Sequence, residues 1–289
     1  MNKSFTLIEI LVVIVVIGII SSFIIVGLSS VSDKANTAKG QAFINSLDNS
    51  MLLARISSWK LDEGTGTSVS DSWGTNNGTL YNFDFNNLSG WMLENDCVSG
   101  YCLRFDNIDD YVNFGTGSDF DITEKITISF WIKSNSSETQ YIIRKEVLST
   151  IWYGFRVDLD GGLIRWYVWT NTNPSPLSYN FFSYDDKWTN VVASYHKNAG
   201  RKMYINGTMV NSDTLSGLIG STVQPCMLGT NSVYTMSGYI DEVKVYKDVL
   251  SSLIIDEDYY SGLNKLLKNK GITINEFNNK LSNLKLNNY

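Results

Sequence analysis

The chain has 289 residues, 43% hydrophobic and 13% aromatic, with a formal net charge of −6. This is enough apolar material for a substantial core, and the acidic balance excludes the basic patch that nucleic-acid binding requires. A single histidine and three cysteines without a Cys-x-x-Cys pair argue against a zinc site, while 3 prolines against 22 glycines describe tight turns between short strands.

The chain opens Lys3-Ser4-Phe5-Thr6-Leu7-Ile8-Glu9-Ile10, and from Ile10 to Leu28 only Gly18, Ser21, Ser22 and Gly27 fall outside the aliphatic and aromatic set. A helix of roughly 20 such residues is long enough to cross a bilayer of about 30 Å. A secretory signal has a shorter apolar core and no acid at its front. Glu9 is the unusual residue, because a carboxylate inside an apolar span is costly and marks a function or a partner.

These residues resemble the class III signal of type IV prepilins and pseudopilins: a short basic leader, a small residue, then Phe-Thr-Leu-Ile-Glu. The resemblance implies cleavage between Ser4 and Phe5 by a prepilin peptidase, methylation of the new amino terminus, residence in the cytoplasmic membrane, and assembly with copies of itself or other pilins. Glu9 lies one helical turn from Phe5. The resemblance gives it a role in assembly, meeting the N-terminal ammonium of a neighbouring subunit so that two charges pair in an apolar core. Ser4 stands where the family most often has Gly. Val26 replaces its common Pro, so the helix is expected to continue without a kink. Lys3 on the leader side places the C-terminal bulk outside the cytoplasm.

The leader is thus 1–4 and the transmembrane or polymerisation helix 5–28. Beyond it Val31, Ala35, Ala38, Ala42, Leu47 and Met51, with Phe43, Ile44 and Ile56, keep a helical period, and predict a helical stalk over 29–57. From Trp59 to about Tyr246 the pattern changes to short alternating segments. Ile126 to Ile132, Tyr153 to Leu159, Leu163 to Trp169 and Trp188 to Tyr195 read as strands. Met203 to Val210 is a strand, an Asn206-Gly207 turn and a strand, a strong hairpin signal. Such a series predicts an antiparallel β-sandwich over 58–249.

Trp59 to Gly66, the Asp71 to Gly78 turn, Cys102 to Val112, Ile128 to Ile132, Trp188 to Val192, Met203 to Gly207 and Gly238 to Tyr246 resemble successive strands of a laminin G-like, concanavalin A-like jelly roll. After Leu250 a helical character returns: Leu253, Ile254, Glu257, Tyr260, Leu263, Leu266 and Leu267 share a period, Gly271 breaks it, and Ile274 to Leu286 forms a second amphipathic piece. The tail 250–289 is expected to cap the sandwich or pack on the stalk. The whole reads as a long N-terminal helix joined to an antiparallel jelly roll with a short C-terminal helical segment.

Cys97 and Cys102 flank a short Val-Ser-Gly-Tyr loop, and an exported chain favours a local disulfide between them. Cys226 is left as a buried thiol, with its pairing to either partner open. Glycoside hydrolysis needs two carboxyl groups about 5 to 9.5 Å apart across a cleft. Asp241 and Glu242 are adjacent, so along a regular strand they point to opposite faces, and Asp256 to Asp258 lie in the tail. His196 sits in a polar turn. No enzyme activity is expected.

The jelly-roll architecture often carries a structural calcium. On that resemblance Asp71, Asn77 and Asp241 are candidate ligands, with Asp109 and Asp110 as second choices, since oxygen donors suit a hard cation. The competing reading is that these side chains cap turns through backbone bonds. Alternation also suggests a binding face. Phe155, Val157 and Leu159 share a side with Ile164, Trp166 and Val168 across the next strand, leaving Trp152, Arg156, Arg165, Tyr167 and Trp169 on the other. Aromatic rings interleaved with Arg suit a glycan or a host or cell-surface ligand. The sequence is therefore read as a type IV pilus or pilus-like subunit, membrane-held before assembly and then extracellular, displaying a lectin-like head for adhesion. A non-filamentous membrane-tethered carbohydrate-binding module and a pseudopilin of a type II secretion system are the alternatives.

Overall fold

The computed structural model describes residues 54–286, apart from 87, 136, 148–151, 171–173 and 231–232. Ser4, Phe5, Glu9, the predicted membrane span and the stalk up to residue 53 lie outside the described residues. Among those described, no helix is long and apolar enough to cross a membrane.

Sixteen described strands follow one another: β1 (Arg55–Trp59), β2 (Ser68–Val69), β3 (Gly78–Tyr81), β4 (Gly90–Met92), β5 (Cys102–Asp106), β6 (Tyr111–Asn113), β7 (Lys125–Lys133) and β8 (Gln140–Val147) form the first half. The second half is β9 (Tyr153–Asp160), β10 (Leu163–Trp169), β11 (Leu177–Asn180), β12 (Thr189–His196), β13 (Gly200–Ile205), β14 (Thr208–Ser212), β15 (Met227–Gly229) and β16 (Ser237–Tyr246). Helices α1 (Ser252–Lys268) and α2 (Ile274–Leu286) close the chain.

The strands pair antiparallel into two sheets. The first runs β14-β13-β12-β7-β16-β5-β4, with β1 on β16, and the second runs β11-β10-β9-β8-β15-β6-β3-β2. The hairpin read from Asn206-Gly207 is present: Ile205 pairs with Thr208, and both turn residues have positive φ, +51° and +79°, as a two-residue type I′ connection demands.

Alternation along the long strands builds the core. Ile126, Ile128, Phe130 and Ile132 of the first sheet face Phe155, Val157, Leu159, Ile164, Trp166 and Val168 of the second, and all are buried in one cluster. The predicted split of β9 and β10 into an apolar face and a polar face is therefore correct. Cys97 and Cys102 form a disulfide with Cα atoms 5.4 Å apart, and Cys226 is a buried free thiol.

Three expectations need correction. The sandwich begins at Arg55 rather than residue 58, because β1 pairs with β16 from Arg55 opposite Tyr246. Ile56, read as part of the stalk's stripe, belongs to the sandwich core. The buried stripe of α1 is Ile255, Tyr259, Gly262, Leu263 and Leu266, leaving Leu253 and Tyr260 exposed. The rotation follows from what α1 docks on. Tyr259 stacks on Trp131 of β7 at 5.6 Å, and Gly262 sits where a Cβ would lie 2.3 Å from the same indole.

The third correction concerns Asp241 and Glu242. A bulge interrupts β16 between Asp241 and Lys244, and Glu242 takes φ +52°. Ile240 and Val243 both stay in the core, so the two acids between them lie together outside it. Glu242 meets Lys265 of α1 while Asp241 accepts N–H bonds from Val98 and Ser99 at 2.9 and 3.0 Å. Helix α1 covers the outer side of the first sheet through a second apolar cluster including Met92, Trp131, Trp188, Tyr259 and Leu263. Lys244 and Ser129 both reach Asp258 beneath it. Burial opposes the charge on Lys244, but Asp258 and Glu242 hold its ammonium above the ordinary lysine range.

Candidate functional site

With the first sheet covered by α1, the outer face of the second sheet is the one that no described helix packs on. The strands β8, β9 and β10 lie side by side there, with Arg144 opposite Arg156, and Arg156 opposite Tyr167. Each outward position that follows a core residue carries a charge or a ring.

Arg156 is the centre. Its Nη1 donates to both oxygens of Glu146, at 2.9 and 2.8 Å, and its Nε donates to Asp158 Oδ2 at 2.8 Å. Arg165 Nε donates to the other Asp158 oxygen at 2.5 Å and its Nη1 reaches Asp160. Arg144 lies 3.6 Å from Glu146 and donates to Thr230 Oγ1 at 3.0 Å. Three guanidinium groups thus alternate with three carboxylates in a single chain of pairs, and the face carries no net charge.

Rings enclose the chain. The Arg156 guanidinium carbon lies 4.1 Å from the centroid of Tyr141 and 4.5 Å from that of Tyr167, with Trp169 at 5.3 Å and Trp152 at 6.0 Å. Tyr167 stacks on Trp169 at 5.3 Å, and Trp152 meets Trp169 at 5.2 Å. Such contacts are each worth about 0.5 to 2 kcal/mol when desolvated.

Burial sets the electrostatics. Glu146 and Asp158 are pushed above the usual carboxylate range by desolvation, against the pull of Arg156 and Arg165. Burial opposes the charge of Arg156 too, yet Glu146 and Asp158 hold it above the ordinary guanidinium range. Burial lowers Arg144 and pushes the Tyr141 hydroxyl up to about 12.

The five residues predicted to share this face do share it, but not as an open aromatic platform. Arg156 is 3% exposed and Trp169 1%, while Trp152, Arg165 and Tyr167 are half-buried. What remains accessible is part of Trp152 and Tyr167 with the outer pairs of the charge chain. Sequence reasoning missed Tyr141, Arg144 and Glu146, because a register shift between Tyr141 and Ile143 hides the alternation of β8. A hydrophilic Arg-Lys-Glu run inside an otherwise apolar strand was the available signal.

The predicted calcium ligands do not converge. Asp71 accepts backbone N–H bonds from Ser58, Trp73, Gly74 and Asn76 at 2.9 to 3.1 Å. Against the upward push of burial, those donors hold its carboxyl below the usual range. Asn77 accepts from the Asp71 N–H at 2.8 Å. Asp241 is taken up by Val98, Ser99 and Glu242 N–H groups, and burial with Glu242 beside it pushes its carboxyl well above the usual range. Oxygens already filled by N–H donors do not suit a cation, so the turn-capping reading describes these residues. Among the described residues, no group of three or more His, Cys, Asp or Glu side chains is placed to hold a metal.

Of the second choices, Asp110 accepts from Ser89 Oγ and the Asp106 N–H, at 2.7 and 3.0 Å. The Asp109 carbonyl accepts from Asn82. His196, at the end of β12, accepts the Asn198 N–H on Nδ1.

Comparison with known proteins agrees with both ends of the chain. Residues 105–255 match the family described as the concanavalin A-like lectin/glucanases superfamily, and residues 1–25 match the prokaryotic N-terminal methylation motif. No curated protein sequence matches. Among solved structures, the botulinum neurotoxin serotype D binding domain is similar at 18% identity and TM-score 0.57, covering 74% of this chain and 52% of that one. The same toxin's ligand binding domain in complex with N-acetylneuraminic acid gives 19%, 0.57, 74% and 52%. The binding domain of Paraclostridial mosquitocidal protein 1 gives 14%, 0.57, 74% and 53%. This chain spans about half the length of those it matches, and at such identities the likeness is one of fold.

Proposed function

The chain belongs to the concanavalin A-like lectin/glucanases superfamily, and from that premise we propose that it is a type IV pilus or pilus-like subunit whose head binds glycans without cleaving them. The methylation motif at residues 1–25 makes it pilin-like at its N-terminus, and the jelly roll supplies the part to be displayed. The single observation that carries the binding role is the neutral chain of guanidinium and carboxylate pairs among aromatic rings, on the sheet face that no described helix covers. Alternating fixed donors and acceptors beside half-buried rings match the hydroxyl groups and apolar faces of a sugar. One of the toxin domains that shares the fold forms a complex with N-acetylneuraminic acid, which supports a glycan as the ligand class here.

The same geometry supports binding without catalysis as the reading. A glycosidase needs one carboxyl group free to give a proton and another free to attack or to activate water. Glu146 and Asp158 are both clamped by Arg156, and Asp241 and Glu242 are buried beneath α1. In the filament, Glu9 and the amino group of Phe5 would set register between subunits.

Two experiments test the two halves. Tyr167→Ala and Trp152→Ala in the full chain are expected to weaken binding to an immobilised glycan panel by about tenfold or more. Unaltered binding by folded variants refutes the sheet-face site. Glu9→Gln is expected to remove the chain from filaments sheared off cells, and undiminished incorporation would refute the assembly role.

A further inference from the structure

A second site lies away from this face. A cavity of about 500 Å³ opens between the start of β1, the turn at Trp73 and Gly74, and the segment from Ser118 to Lys125. That volume falls in the range of roughly 300 to 1,000 Å³ typical of small-molecule sites.

One wall is a held indole. Trp73 is 44% exposed, its Nε1 donates to the Arg55 carbonyl at 3.0 Å, and the Arg55 guanidinium stands 5.2 Å from its ring centroid. The turn that presents it is built by Asp71, which accepts the N–H groups of both Trp73 and Gly74. Gly74 is required there, since a Cβ would sit 2.4 Å from the Ile56 carbonyl oxygen. An exposed aromatic fixed in advance offers contact area at little entropic cost.

The lining's charges balance. Arg55, Lys125 and Lys247 stand against Asp119, Asp121 and Glu124. Several are neutralised by partners of their own: Lys125 by Asp248, Asp121 by Lys145 and Glu124 by Lys197. Arg55 Nε is buried and has no hydrogen-bond partner. Counted over the lining residues alone, neither sign is in surplus. A neutral ligand rich in hydroxyl groups finds donors and acceptors around a flat apolar wall.

We propose that this cavity is a second binding site, taking a neutral saccharide unit stacked on Trp73. The site is separate from Tyr167 and stands or falls independently of the sheet face.

The test is isothermal titration of the full chain in detergent with maltotriose, cellotriose and the N-acetylglucosamine trimer, alongside sialyllactose as an acidic probe. At least one neutral trimer is expected to bind tighter than about 1 mM. In a Tyr167→Ala background, where the sheet face no longer contributes, Trp73→Ala is expected to weaken it by about tenfold or more. Because Trp73→Ala also loosens its turn, Ser118→Trp provides an independent check: Ser118 is exposed at the cavity's edge, and the added indole should plug the site while thermal unfolding stays at the wild-type temperature. The proposal is overturned if either folded variant binds like its parent, if no neutral trimer binds, or if sialyllactose binds tighter than every neutral probe.

Discussion

Arg156→Met is the substitution whose cost the structure specifies best. The arginine is 3% exposed and donates three hydrogen bonds of 2.8 to 2.9 Å to two carboxylates that are themselves buried. Methionine fills much of the same volume and removes the charge. Asp158 then keeps Arg165, but Glu146 is left with Arg144 alone, at 3.6 Å. Removing one partner from a buried pair costs about 3 to 5 kcal/mol, since it leaves an uncompensated charge. Loss of the contacts to Tyr141 and Tyr167 adds about 1 kcal/mol.

The penalty should depend on pH, and the sign follows from the direction of the shift. Burial already holds Glu146 above its ordinary value despite Arg156, so without Arg156 its folded pKa rises further. An acid whose folded pKa is raised gives stability that is present below its unfolded value, about 4.3, and lost as pH rises through the folded value. The variant is therefore closest to wild type near pH 4 and furthest from it at neutral pH. Urea unfolding followed by tryptophan fluorescence at the two pH values measures this. Removing Arg144 and Glu146 as well, as Arg144→Met, Glu146→Leu and Arg156→Met, leaves no buried charge without a partner, because Asp158 keeps Arg165, and should recover most of the loss. A penalty below about 1 kcal/mol at neutral pH, or the same penalty at both pH values, would show that the network behaves as an exposed ion pair does and would refute the reasoning.

Three other outcomes follow from individual positions. Asp110 is 1% exposed with Oδ1 unpartnered, and burial pushes its carboxyl up to about 7. Wild-type stability should fall as pH rises from about 4 past 7, and Asp110→Asn should raise the melting temperature at pH 8 and not at pH 5, a gain of about 1 to 2 kcal/mol. Gly262→Ala should destabilise the head by about 1 to 3 kcal/mol in thermal melts, although alanine favours a helix by about 1 kcal/mol, because the added methyl meets Trp131; a stabilised variant would mean that α1 is not docked there. Calcium or a chelator should leave the melting temperature unchanged, whereas Asp71→Ala should lower it by leaving four backbone N–H groups without their acceptor, and a rise with calcium would restore the cation reading.

The parts of the fold that alternate cleanly were legible. Tyr153 to Leu159 and Leu163 to Trp169 declared their faces because the side-chain period of a strand is two, and Asn206-Gly207 declared its turn because few residues tolerate two positive φ values in succession. The reading failed where one residue breaks the period. The register shift in β8 hid Glu146, and the bulge in β16 placed Asp241 and Glu242 together instead of apart. Helix α1 failed differently: its apolar residues are wide enough around the axis to allow more than one stripe, and the choice is made by the indole of Trp131. For Asp71 the sequence left a cation and the N–H groups of its own turn as alternatives, and the structure shows four such N–H groups on it. Nothing in a sequence distinguishes an aspartate awaiting a cation from one holding the N–H groups of its own turn, and here the second role shapes the wall of a cavity.

The two sheets use buried charge to different ends. Under α1, Lys244 and Asp258 join a helix to the first sheet, so their pairing has a docking role that an apolar pair could share. On the second sheet no described helix needs docking, yet Arg144, Glu146, Arg156, Asp158, Arg165 and Asp160 hold one another in place across three strands. An apolar substitute for such a network is generally neutral or more stable by about 1 to 4 kcal/mol, but at the half-buried outer pairs it would leave an exposed hydrophobic patch. A neutral polar lattice avoids that patch while fixing the half-buried rings of Tyr167 and Trp152 in one orientation. Rigid rings beside prearranged donors and acceptors lose little freedom on binding, so the proposed glycan-binding role would give this network a use that its contribution to stability alone does not account for.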